Sequence, residues 1–141
     1  MSDLGISDVL AHPLTKYRNH LEYSGYHIDE EDEVLLCRHP RKSNLILRQI
    51  PHRGVLVSTF YAFESSIRRV EILEYVNQLN SEFLFLKAYL DEDNDDDERS
   101  LIMETFFEGE YDRSNFSLLL ENLEYDISVF SQNMLTPEFL Q

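Results

Sequence analysis

The stretch "AYLDEDNDDDERSLIMETFF", Ala88 to Phe107, admits three readings: a calcium loop, a charged lure or the tip of a hairpin. Seven acids fill the eight positions Asp91 to Glu98, with strand-like apolar sequence on both sides. An EF-hand loop started at Asp91 obtains ligands at Asp91, Asp93 and Asp95. It then meets Asp96 where glycine is needed, Arg99 at position 9 and Ile102 where the bidentate Glu belongs. The flanks also read as strands where an EF-hand needs helices. The run therefore predicts a solvated hairpin tip whose crowded carboxylates gather cations weakly at most.

Working outward, "EFLFLKAYL" alternates Leu84, Leu86, Ala88 and Leu90 against Phe85, Lys87 and Tyr89, a strand with one aliphatic side. "SLIMETFF" is its partner. Upstream, "EVLLCRH" ends at Pro40, "NLILRQI" ends at Pro51, and "RGVLVSTFYAF" follows the "PHRG" turn. Prolines fall only at junctions, as a sheet requires, so these three runs predict an antiparallel meander. Helical spacing of Leu10, Leu14, Tyr17 and Leu21 predicts a first helix over residues 12–24, and "DEEDE", Asp29 to Glu33, reads as an acidic connector. "SSIRRVEILEYVNQLN" predicts a second helix capped by Ser65 or Ser66, its apolar residues covering about half the circumference. Phe116, Leu119, Leu120, Leu123, Ile127 and Phe130 mark a long final helix capped by Asp112 or Ser114, closed by the "TPEF" tail.

The order is α-β-β-β-α-β-β-α, an α+β fold on an antiparallel sheet. At 141 residues and 43% hydrophobic, residues 1–141 predict one domain with an ample core. The formal charge of −15, from 12 Lys and Arg against 27 Asp and Glu, repels phosphate backbones. Neither nucleic acid nor a membrane is an expected partner. A single cysteine, Cys37, forbids an internal disulfide, and no signal-like or membrane-spanning run is evident, so a cytoplasmic protein is expected.

No catalytic signature stands in the sequence. The four glycines are scattered singly, and neither a Gly-x-Ser-x-Gly elbow nor a His-Glu-x-x-His pair occurs. Cys37 and His39, two apart on one strand, with His52 across a turn, come closest to a metal cluster, and a small metal-assisted enzyme using them is the alternative reading. Cys37 between apolar neighbours fits a core thiol better. Arg38, Arg41, Lys42, Arg48 and Arg53 form a basic band in an otherwise acidic chain.

Two segments, "EYVNQLNSEFLFLKAYLDED" and "SLIMETFFEGEYDRSNFSLLLENLEYDISVF", resemble the YbjN-type family, bacterial proteins loosely described as sensory-transduction regulators, with a fold like that of the type III secretion chaperones. The shared features are a helix ending in an Asn-rich turn (Asn77 to Asn80), a strand with an aromatic-lysine-aliphatic centre (Phe85 to Leu90), and the approach "YDRSNF" to a closing helix. The match covers about half the chain at the level of motifs. It departs at "DEDNDDDERS", where the family often has a short Gly-containing turn. The resemblance implies a non-enzymatic, cofactor-free, chaperone-like or regulatory homodimer that binds a partner polypeptide. Phe60, Phe85, Tyr89 and Phe106 are the expected partner-binding residues, and Val70, Leu73 and Val76 the expected dimer contacts. An acidic decoy for a basic, nucleic-acid-binding partner is a further alternative.

Overall fold

A computed structural model describes residues 12–92, 98–133 and 135–141. The elements run α1 (Thr15–Tyr23), β1 (His27–Glu30), β2 (Val34–Arg38), β3 (Leu45–Ile50), β4 (Gly54–Ala62), α2 (Arg69–Glu82), β5 (Lys87–Asp91), β6 (Ser100–Glu108), α3 (Arg113–Gln132) and α4 (Thr136–Phe139). The six strands form one antiparallel sheet in the order β1-β2-β3-β4-β6-β5. The α+β architecture expected from the sequence is present, with β5 and β6 paired as a hairpin from Lys87↔Glu104 to Asp91↔Ser100. Residues 93–97, and with them the expectation about the acidic tip, lie outside the described residues.

Period-two alternation divides the sheet into two faces. Leu35, Cys37, Leu45, Leu47, Val55, Val57, Leu101, Met103 and Phe107 point to one side and are buried. Helix residues Tyr17 and Leu21 of α1, Ile72, Tyr75 and Leu79 of α2, and Phe116, Leu123 and Ile127 of α3 complete the same core. Tyr17 meets Phe116 and Tyr111 edge-on with centroids 4.9 and 5.1 Å away, the geometry that ring quadrupoles favour. Each helix thus buries one stripe against one side of the sheet.

Several local expectations need correction. The supposed connector "DEEDE" starts inside a strand: β1 pairs Asp29 with Leu36 and Glu30 with Leu35. Ser65 and Ser66 do not cap α2. Its N-cap is Arg68, with no side-chain cap bond, and the Arg99 guanidinium instead ties the preceding loop through the Ile67 carbonyl at 2.6 Å. Asp112 does cap α3, accepting the Asn115 amide at 2.9 Å. The "TPEF" tail is an element in its own right. Phe139 stacks on Tyr75 at 4.7 Å, Leu140 bridges Phe63, and the Gln141 amide donates to the Ala62 carbonyl.

Leu84 was expected on the aliphatic side of a strand beginning near Glu82, yet it is 69% exposed and β5 begins only at Lys87. The cause lies in α3. The fully buried Asp126 carboxylate accepts the backbone amides of Leu84, Phe85 and Leu86 at 3.1, 2.7 and 2.8 Å. Those three donors cannot then serve a ladder, so the segment curls and the strand starts late.

Candidate partner-binding face

The second side of the sheet carries no helix among the described residues, and its side chains follow from the strand register. One row runs Leu36, Ile46, Ser58, Glu104 and Lys87 across five strands. Flanking it are the row Phe60, Ile102 and Tyr89 and the row Val34, Arg48, Leu56 and Phe106. Phe60, Phe106 and Tyr89 are 54%, 43% and 40% exposed, large for aromatic side chains. Ile102 lies beside Phe60 and Tyr89, Leu56 beside Phe106, and Ile46 beside Ser58 in the central row, and all three are half-buried. The result is a face on which two apolar and aromatic rows flank the polar Ser58 and Glu104, with the exposed rings that mark an interaction site.

Glu104 gives that surface a polar centre. Its carboxylate accepts from the Ser58 hydroxyl at 3.1 Å and pairs with the Lys87 ammonium at 3.2 Å, while its side chain is only 6% exposed. The Lys87 ammonium also lies 5.9 Å from the centroid of the Tyr89 ring. Burial, and then the charge of Glu104, raise the Tyr89 phenol above its ordinary value. The phenol therefore stays protonated and able to donate.

Three of the four expected partner-binding residues, Phe60, Tyr89 and Phe106, come together here. Phe85 does not join the paired sheet. It is 44% exposed in the turn held by Asp126, just before β5. The expected dimer trio also divides. Val70 and Leu73 are exposed one turn apart on α2, whereas Val76 is 7% exposed inside the core with Ile72 and Leu79, so it offers nothing to a second chain. Sequence reading missed Leu56, Ile102 and Glu104. The signal was available in β6, where Ile102, Glu104 and Phe106 alternate with the core residues Leu101, Met103 and Phe107.

The candidate metal set is not assembled. Cys37 pairs with Leu45 at one end of β3, and His52 follows Ile50 at the other, so about 17 Å of extended strand separates them. Burial pushes the Cys37 thiol up to about 12, the behaviour of a core residue. The His39 ring accepts the Arg41 and Lys42 amides through Nδ1 and packs on Tyr26, a local turn function. Among the described residues no group of three His, Cys, Asp or Glu side chains could hold a metal ion. No described helix is long and apolar enough to cross a membrane.

No protein-family model matches the chain, and no curated protein matches it in sequence. The solved structures do supply a likeness, to the crystal structure of YbjN from E. coli, a protein provisionally described as a transcription regulator. The two superpose with a TM-score of 0.74 at 18% identity, over 91% of this chain and 95% of that one. The fold is YbjN-like. That agreement covers 91% of the chain, against about half reached by the sequence motifs.

Proposed function

We propose that the protein is a non-enzymatic, chaperone-like or regulatory binding module that takes an extended segment of a partner polypeptide across the helix-free face of its sheet. The observation that carries this reading is the register that lines up Phe60, Ile102, Tyr89, Leu56 and Phe106 on one uncovered surface. A polypeptide fits that chemistry because it supplies apolar side chains to the rings, and backbone or side-chain hydrogen-bonding groups to the Glu104, Lys87 and Tyr89 cluster. Nucleic acid fits it poorly. A chain of formal charge −15 repels a phosphate backbone, and bases do not offset that cost on a surface with a carboxylate at its centre. If the protein regulates transcription, as the description of E. coli YbjN would suggest, it does so through contact with another protein.

In the same reading the molecule works as a homodimer in the cytoplasm, with the exposed stripe Val70 and Leu73 of α2 in the contact. Residues three apart on a helix share one face, and this pair lies on the side of α2 that the core leaves uncovered. Light scattering at micromolar concentration tests the dimer, with a mass near twice 16.7 kDa expected and a halved mass expected for Leu73→Glu. A strict monomer for the unaltered protein contradicts this part. Hydrophobic-dye fluorescence tests the sheet face: it is expected with the unaltered protein and lost in Phe60→Ser/Phe106→Ser. Unchanged dye binding in that variant contradicts the assignment of the face.

A further inference from the structure

A cleft of about 600 Å³ lies between α1 and the start of α3, away from the open sheet face. We infer that it binds a small anion bearing phosphate or carboxylate groups. The observation behind this is an inversion of charge. The chain carries 27 acids against 12 Lys and Arg, yet among the described residues the cleft is lined by Lys16 and Arg113 and by no carboxylate. Neither cation joins any of the ion pairs formed among the described residues, which use Arg18, Arg38, Arg68, Arg69 and Lys87. The acid nearest Arg113 in sequence, Asp112, is occupied in capping α3.

The remaining polar groups are arranged to donate. Lys16, Asn19 and His20 line the cleft from α1, and Tyr111, Arg113 and Ser117 line it from the approach to α3 and its first turns. His20 sits between the latter two hydroxyls, with Nδ1 2.8 Å from Tyr111 Oη and Nε2 3.2 Å from Ser117 Oγ. Its ring meets Phe116 edge-on at 5.0 Å. Burial first, and then the neighbouring Arg113 charge, lower the His20 pKa, which keeps the ring neutral near pH 7.

A neutral imidazole has one N–H and one acceptor nitrogen. One of the two hydroxyls must therefore donate to the ring and the other accept from it. The accepting hydroxyl keeps its own proton for a ligand. The cleft thus offers a guanidinium, an ammonium, the Asn19 amide and one free O–H, a donor-rich set suited to an oxyanion. Its size suits a small metabolite better than a macromolecule.

The test is a titration of the full-length protein at low ionic strength, followed by backbone amide NMR shifts, with inorganic phosphate, pyrophosphate and citrate as separate probes. Saturable shifts centred on Lys16, His20, Arg113 and Ser117 are expected, with a Kd of about 1 mM or tighter for at least one probe. Phosphate probes binding above citrate identify a phosphoryl ligand, and the reverse order identifies a polycarboxylate. Lys16→Gln and Arg113→Gln change exposed side chains, so each is expected to keep the native spectrum and weaken binding about tenfold. The inference is overturned if no probe gives saturable shifts. It is equally overturned if the shifts map to the Arg38 to Lys42 band or survive unchanged when Lys16→Gln and Arg113→Gln are combined in one chain. None of these outcomes depends on whether the sheet face binds a polypeptide.

Discussion

The Asp126 carboxylate reaches the Phe85 backbone amide at 2.7 Å across 41 residues of chain, and that contact fixes where β5 begins. Because the same carboxylate also takes the amides of Leu84 and Leu86, Asp126→Ala leaves three donors near α3 without an acceptor. A loss of about 3–5 kcal/mol of unfolding free energy is expected, and Asp126→Asn, which keeps one accepting oxygen, is expected to fall between. Urea unfolding followed by circular dichroism measures both. A loss under about 1 kcal/mol for the alanine variant contradicts the role given to this contact.

The C-terminal tail is a structural clasp. Phe139 stacks on the buried Tyr75, whose hydroxyl meets Thr136 Oγ1, and the Glu64 amide donates to the Phe139 carbonyl. Phe139→Ala removes the ring that covers Tyr75 and should cost about 3 kcal/mol. Thermal melting checks this directly, and the tail is expected to lose hydrogen-exchange protection together with the end of β4 that it bridges.

Alkaline pH should weaken the protein through Cys37. Burial pushes its thiol up to about 12, against an ordinary value of 9.0. Between those limits the folded state holds a proton that the unfolded chain releases, so stability falls as pH rises through that window. Cys37→Ala is expected to flatten the slope of unfolding free energy against pH above 9 relative to the unaltered protein. Thiol-reactive reagents are expected to label Cys37 slowly in the native state and rapidly in urea. Fast native labelling contradicts the burial assigned to it.

Much of the fold was legible because it follows local rules. β2, β3 and β4 sit between prolines with clear alternation, and α3 shows its cap at Asp112 and its stripe at Phe116, Leu123 and Ile127. The misses share a physical origin in contacts distant in sequence. β1 has only Ile28 to pack and is otherwise polar, so its composition resembles a loop and only pairing with β2 makes it a strand. Leu84 continues a perfect alternation that Asp126, far along the chain, interrupts. Val76 belongs to the buried stripe of α2 while Val70 and Leu73 do not, a division that a half-apolar helix does not reveal until the sheet is placed against it. The open face was partly legible, since three of its aromatics were expected there. Its buried acid was not, because Glu104 looks like any surface carboxylate until Ser58 and Lys87 are brought beside it by the register.

Site-specific photo-crosslinking in native cytosol tests whether the helix-free face of the sheet holds another polypeptide. A photoreactive residue replaces Phe60 in one variant and Leu118 of α3 in another; both positions are 54% exposed, and they lie on opposite layers of the molecule. Polypeptide adducts of discrete mass are expected from the Phe60 position, abolished by Phe106→Ser in the same chain, and none from the Leu118 position. Adducts of equal yield from both positions, or from Leu118 alone, would contradict polypeptide binding at that face.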